Sequence, residues 1–213
     1  MSLQVERKEL NSNFLKIAYI LMGFIINMDT LRENNGSTLV ELLIVMGLCL
    51  ILGLLSTSFD SGSWLSNYRL RAAARDLSMN MQKARIKAIK ENRPLAMVFD
   101  TAHSCYHICT DPGNDNKWST INDNIIEQTI ELSRYKSGIT YGGGGASRNV
   151  SGDGPIPSDS VSFNSNVLSF SPKGVASSSG YCYLSNDRNE VYAIGALTSG
   201  AIRIRKWDGT TWQ

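Results

Sequence analysis

The sequence predicts an α+β fold, in which a long N-terminal α-helix packs on a C-terminal β-rich domain of two small antiparallel sheets. Residues 42–55 are almost entirely apolar, so the first half of the helix lacks a polar face and is expected to be embedded in a membrane, with a buried core helix as the alternative. Residues 60–92 repeat apolar side chains at helical spacing, so the second half is amphipathic. After Pro94, short runs of β-forming residues alternate with turn residues, as in a two-sheet domain.

The amphipathic half of the helix carries a stripe rich in alanine, which would let a sheet approach closely. The stripe is predicted to comprise Leu70, Ala73, Ala74, Leu77, Met81, Ala84 and Ala88. Most of the basic residues fall outside this stripe and are expected to be solvated. The helix should end near Asn92, because Pro94 disfavours helical geometry at the residue before it.

The β-rich region, residues 93–213, contains a long segment without a strand pattern. Strands are predicted at 95–99, 105–109, 125–135, 162–163, 167–170, 180–184, 190–194 and 201–207. The second of these is predicted to be the hairpin partner of the first. Residues 142–160 are rich in Gly, Ser, Asp and Pro, which predicts a mobile loop. The formal net charge of +2 gives no overall field that would favour nucleic acid.

The most informative segment runs from Gly36 to Glu41 and leads directly into the apolar helix. Glu41 is the only charged side chain between Glu33 and Asp60. A carboxylate at the edge of such a helix is costly unless it has a partner, so Glu41 is a candidate functional residue. The sequence therefore suggests a processing site, an anchor and an assembly contact close together.

This segment, GSTLVELLIV, resembles the N-terminal signal of type IV pilins and of type II secretion pseudopilins. The resemblance implies cleavage after Gly36 by a prepilin peptidase, which leaves Ser37 as the mature N-terminus, usually N-methylated. Glu41 then occupies the fifth mature position. Within the bilayer its carboxylate would neutralise the α-amine of a neighbouring subunit, an ion pair whose desolvation cost makes register its main contribution.

Later stretches resemble the GspH/FimT family of minor pseudopilins and minor pilins. They are residues 73–77, 84–85, 88–89, 170–174 and 197–203. The resemblance implies a structural subunit rather than an enzyme, without a cofactor. Its expected partners are other pilin subunits, an inner-membrane assembly platform and the lipid around its helix. It would cross the bacterial inner membrane once and project its β domain into the periplasm, serving a secretion system or a pilus.

The domain prediction is therefore a leader at 1–36, a transmembrane and assembly helix at 37–59, and the amphipathic and β regions after it. The leader is long for this family and contains its own apolar stretch, residues 14–28. It could be a secretory signal peptide or the first arm of a membrane hairpin. The favoured interpretation is translation from Met22 or Met28, since the latter gives a leader of typical length.

Cysteine usage leaves several possibilities open. Cys49 lies in the apolar run and is expected to behave as a small hydrophobic residue. The periplasm permits disulfides, and Cys105 and Cys109 are too far apart on one strand to pair with each other. A bridge from Cys182 to one of them is predicted.

Two further clusters could carry chemistry. His103, Cys105, His107 and Cys109 alternate on one strand face, but neighbours along a strand do not readily form a tetrahedron, so no metal site is predicted. Arg203, Arg205 and Lys206 near the C-terminus partly match the arginine motif through which some FimT-like proteins bind DNA. An edge strand protected by charge explains the same residues.

Overall fold

The computed structural model describes residues 38–57 and 61–213. Helix α1 comprises Thr38–Thr57 and helix α2 comprises Ser61–Glu91. The chain divides into two compact units, Met1–Phe59 and Asp60–Gln213, and helix α2 begins the second. In the part of the chain that the structure describes, no helix is both apolar enough and long enough to cross a membrane.

The second unit contains eight strands, which form two four-stranded sheets. They are β1 (Leu95–Asp100), β2 (Cys105–Asp111), β3 (Ile125–Glu131), β4 (Thr140–Tyr141), β5 (Val167–Phe170), β6 (Gly180–Ser185), β7 (Val191–Ala196) and β8 (Ile202–Lys206). The order is β3-β2-β1-β5 in sheet 1 and β4-β6-β7-β8 in sheet 2. Every pairing is antiparallel. The α+β prediction with two small antiparallel sheets is confirmed for this unit.

Helix α2 packs on both sheets through its alanine-rich stripe, as predicted. All seven stripe residues are buried, and they share one core with inward-facing side chains of sheet 1 and sheet 2. The sheet side chains in this core include Leu95, Met97, Tyr106, Leu168 and Ile194. The alanines have no side chain beyond Cβ, so the helix backbone can lie close to both sheets.

The loop at 142–160 covers the outer face of sheet 2. A second apolar cluster there contains Tyr183 and Trp207, with Val150, Ile156 and Trp212 packed against it. The loop contains neither helix nor strand, but the Val150 amide donates a hydrogen bond of 3.1 Å to the Tyr183 hydroxyl. These contacts show where the loop lies, and the mobility expected from its composition stays a prediction.

The strand predictions hold except at three places. The segment at 125–135 is strand only as far as Glu131 and continues as a 3-10 turn, Leu132–Tyr135. Strand β4 was not predicted, since two residues give no periodicity. The prediction of a strand at 162–163 is wrong. The neighbouring Val161 forms an isolated bridge to Cys182, and the ring of Phe163 stacks on that of Phe99 at a centroid distance of 5.5 Å.

Candidate functional site

The outward face of α2, opposite the buried stripe, carries large apolar side chains. Trp64 and Ile86 are 70% and 61% exposed, and Tyr68 and Met79 lie between them along the same side of the helix. Trp64 and Tyr68 stack at a centroid distance of 5.7 Å, as expected for residues four positions apart on a helix. We call these four residues the outer stripe. A helix that packs on its own domain through one face needs no apolar residues on the other, so the outer stripe is a candidate contact for another protein.

The inward face of α2 is fixed by polar contacts as well as by packing. Asn80 donates a hydrogen bond of 2.8 Å to the Tyr106 hydroxyl on β2, and the Tyr135 hydroxyl donates one of 2.7 Å to Asp76. Burial raises the pKa of Tyr106 to about 12, so its hydroxyl stays protonated. Burial, together with the hydrogen bond to Asp76, also raises the pKa of Tyr135. These contacts position the outer stripe by holding the helix that carries it.

The residues of the N-terminal motif cannot be placed in the same way. Gly36 and Ser37 lie outside the described residues, so the cleavage site stays a prediction. Glu41 lies on helix α1, but its side chain, like that of Cys49, is outside what the structure describes. The predicted ion pair with a neighbouring α-amine is likewise a prediction.

Two of the three C-terminal cations lie together on the outer face of sheet 2. Arg203 and Arg205 alternate along β8 and line one cleft of about 530 Å³. Tyr181 and Trp212 line the same cleft, so it combines guanidinium groups with aromatic rings. Neither guanidinium has a hydrogen-bond or ion-pair partner among the described residues. The sequence indicated the arginines but not Tyr181 and Trp212 beside them, since these come from other segments of the chain.

Lys206 does not belong to this cleft. It lies on the opposite face of β8, which the alternation of a strand requires. There it forms an ion pair of 2.9 Å with Glu190 and lines a separate cavity beside Arg71 and Arg75 of α2. The ion pair raises the pKa of Lys206, chiefly through the hydrogen bond to Glu190. The structure therefore separates Lys206 from the two arginines with which the sequence grouped it.

A cluster of metal-ligating side chains lies at the hairpin between β1 and β2. Asp100 and Cys105 are paired across the hairpin, and His107 follows Cys105 on the same face of β2. One ligand atom from each of these residues lies within 4.8 Å of the others. The Cys105 Sγ is 3.5 Å from Nε2 of His107, and His107 Nδ1 is 2.8 Å from the Thr129 hydroxyl.

The cluster differs in membership from the one considered in the sequence. His103 lies in the exposed turn, where its Nδ1 is 2.7 Å from an Asp100 carboxylate oxygen. Cys109 lies two positions beyond His107 and instead accepts a weak hydrogen bond of 3.9 Å from Asn124. Asp100 was missed because it belongs to the neighbouring strand. The predicted hairpin could have revealed it, because its register places Asp100 opposite Cys105.

Burial sets the protonation of this cluster. It raises the pKa of Cys105 and lowers that of His107, so both are neutral near pH 7. Burial acts against ionisation of Asp100 too, but hydrogen bonds from the His103 side chain and backbone outweigh it and lower the Asp100 pKa.

The predicted disulfide is not formed. Cys105, Cys109 and Cys182 are buried free thiols. Cys182 faces the common core, whereas Cys105 and Cys109 alternate with the core residues Tyr106 and Ile108 and so face away from it. The spacing of Cys105 and Cys109 along one strand does not determine which sheet face Cys182 occupies.

Comparisons with known proteins identify relatives. The family described as type II transport protein GspH matches residues 73–200. No curated protein matches the chain. The type IV minor pilin FimU of Pseudomonas aeruginosa PAO1 is 12% identical, with a TM-score of 0.46 over 70% of this chain and 96% of FimU. The minor pseudopilin EpsH from the type 2 secretion system of Vibrio cholerae is 11% identical, with a TM-score of 0.41 over 64% of this chain and 95% of EpsH.

Proposed function

The chain belongs to the GspH family of minor pseudopilins and pilins, and on that basis we propose that it is a structural subunit of a periplasmic pseudopilus or pilus. Membership of this family implies assembly with other pilin subunits. The observation that carries the proposal at residue level is the outer stripe of α2, where four large apolar side chains lie exposed on a helix already packed through its other face. The occupant we propose for it is the helix of a neighbouring subunit.

We propose the same route to assembly that the sequence implies. A prepilin peptidase removes the leader after Gly36, and residues 37–59 hold the chain in the bacterial inner membrane, where Ser37 carries the new α-amine and is N-methylated. Helix α1 is twenty residues long, which corresponds to about 30 Å of helix. This anchor rests on sequence and family membership. The subunit then enters the filament from an inner-membrane assembly platform, acting by packing rather than by catalysis.

Site-specific photo-crosslinking in the source cell tests the proposed packing. A photoreactive residue replaces Ile86 in the outer stripe or, as a matched control, Ile125 on β3, an apolar residue that is similarly exposed at 59%. We expect adducts from position 86 whose other half, identified by mass spectrometry, is a subunit with the same type of N-terminal signal. The proposal is contradicted if adducts with pilin-like subunits form only from position 125. It is also contradicted if they form from neither position.

The choice between secretion and pilus biogenesis is a matter for genetics. Deleting the gene abolishes either the release of secreted proteins or the appearance of surface pili, and complementation with the full chain restores whichever is lost. If the parent cells express the protein and the deletion strain still secretes proteins and forms pili, a role in either filament is contradicted.

A second function, DNA binding during uptake, is favoured by the cleft that contains Arg203 and Arg205. Its two unpaired guanidinium groups can contact phosphates, and Tyr181 offers a surface for base stacking. Two cations give weak binding that falls as salt rises. Fluorescence anisotropy with the full chain in detergent should detect single-stranded DNA at low salt.

The matched variants are an Arg203→Ala/Arg205→Ala pair and Lys206→Ala. All three residues lie on β8, but only the arginines line the cleft. DNA binding requires that the arginine pair lose affinity and Lys206→Ala retain it. An equal loss in both would indicate a general charge effect, and an absence of binding by the unaltered chain at low salt would rule out this role.

A further inference from the structure

We propose that Asp100, Cys105 and His107 form a binding site for a single zinc ion at the turn between β1 and β2. The three side chains come from two strands, so the geometric objection to a site built along one strand does not apply to them. Their ligand atoms lie within 4.8 Å of one another. A carboxylate, a thiolate and an imidazole are all ligands that zinc accepts, and three protein ligands leave its fourth position open.

The spacing of the two buried ligands matches what zinc requires. Bond lengths of about 2.3 Å to sulfur and about 2.0 to 2.1 Å to nitrogen, at a tetrahedral angle, place the two atoms about 3.6 Å apart. Cys105 Sγ and His107 Nε2 are 3.5 Å apart. Binding would therefore need little movement of these two side chains. A thiol hydrogen bond accounts for the same distance, so metal binding is the property that separates the two interpretations.

The surroundings of His107 are those of a metal ligand. Its Nδ1 is 2.8 Å from the Thr129 hydroxyl on β3, and a proton on Nδ1 donated to that oxygen leaves the lone pair on Nε2, facing Cys105. A second hydrogen bond of this kind fixes the tautomer and ring orientation of zinc-bound histidines. The ring is thus oriented before any ion arrives.

Access and charge also favour a cation. Cys105 and His107 are buried at 5% and 9% exposure, whereas the His103 side chain, hydrogen-bonded to Asp100, is 80% exposed and marks the solvent side of the turn. Asp100 supplies one negative charge. Glu131 on β3, which is paired with Cys105 on β2, supplies another nearby. When the ion binds, the Cys105 thiol loses its proton to solvent and the sulfur becomes the ligand, while neutral His107 keeps its Nδ1 proton.

The test uses the full chain in detergent, stripped with a chelator under reducing conditions and titrated with Zn²⁺ or Co²⁺ alone. We expect one equivalent of either metal per chain, an increase in Tm with Zn²⁺, and a sulfur-to-cobalt charge-transfer band with Co²⁺. Cys105→Ser should abolish the band, and His107→Gln should lower affinity by at least about tenfold. Thr129→Val, which removes only the orienting hydrogen bond, should weaken binding by about 10- to 100-fold.

Cys109→Ser is the matched control, because Cys109 is buried on the same strand but is not in the cluster. It should retain the stoichiometry and the cobalt band. Absence of stoichiometric binding by the unaltered chain overturns the proposal, and so does a band that survives in Cys105→Ser or disappears in Cys109→Ser. If Cys105→Ser fails to fold, Asp100→Asn and His107→Gln decide the matter through the lost increase in Tm with Zn²⁺.

Discussion

Gly200 lies so close to Gly174 that a Cβ atom on Gly200 would be 2.1 Å from the Gly174 carbonyl oxygen. That same oxygen accepts a hydrogen bond of 2.9 Å from Nε of Arg85 on α2. The helix and the turns after β5 and β7 thus meet at one point. Arg85, Gly174 and Gly200 all lie in stretches that resemble the GspH/FimT family in sequence. These stretches therefore share a structural role, which is to hold α2 against the turns after β5 and β7.

Gly200→Ala should therefore destabilise the domain by more than the roughly 1 to 2 kcal/mol that a left-handed backbone conformation alone costs a residue other than glycine. Gly200 has a φ of +81°, unfavourable for alanine, and the added Cβ would also meet the Gly174 carbonyl. Gly152 separates the two effects, because its φ is +82° and its Cβ would meet nothing within 4 Å. Chemical denaturation should show a clearly larger loss for Gly200→Ala than for Gly152→Ala. Equal losses would mean that the close approach is unimportant.

The sequence predicted this architecture well where a periodic pattern faces a core. The stripe from Leu70 to Ala88 was identified residue by residue, because burial on one side of a helix repeats at a fixed spacing. The β1–β2 hairpin was predicted from short runs of β-forming residues that are close together in the sequence. Contacts between distant segments leave no such pattern. Three features depend on how the sheets are arranged: the closeness of Gly174 and Gly200, the cleft beside Arg203, and the placement of Cys182 away from Cys105.

The hydrogen bond between Asn80 and Tyr106 should be measurable as a coupling between helix and sheet. Tyr106→Phe leaves the Asn80 amide without this partner at a partly buried position, at a cost of about 1 to 3 kcal/mol. Asn80→Ala removes the other partner. In a double-mutant cycle from urea denaturation, the double variant should be less destabilised than the sum of the single variants. Strict additivity would show that the contact contributes nothing of its own to stability.

The buried thiols should react slowly in the native protein. Burial raises the pKa of Cys109 to about 11, opposed only in part by the Asn124 hydrogen bond. Because the thiolate is the reactive form, alkylation of native Cys109 should still accelerate about tenfold per pH unit between about pH 8 and pH 10. In denaturant the rate should level off above about pH 8.5, the ordinary value for cysteine. Peptide mass spectrometry after timed labelling measures both. A native rate that also levels off there would show that labelling proceeds through unfolding.

Glu41→Gln should leave cleavage after Gly36 intact and lower incorporation into the filament. In the proposed route the peptidase acts at the peptide bond after Gly36, whereas the proposed partner of Glu41, the α-amine of a neighbouring subunit, would exist only after that cleavage. Glutamine keeps the size of the side chain but removes the charge, so an unpaired amine would remain in a medium of low dielectric, where an uncompensated charge is costly. Glu33→Gln is the matched control, since the proposed cleavage would remove that carboxylate with the leader. Intact-mass analysis of the mature chain and quantification in sheared filaments measure the two steps. Normal incorporation of Glu41→Gln would exclude the proposed ion pair, and accumulation of uncleaved chain would place Glu41 in processing instead.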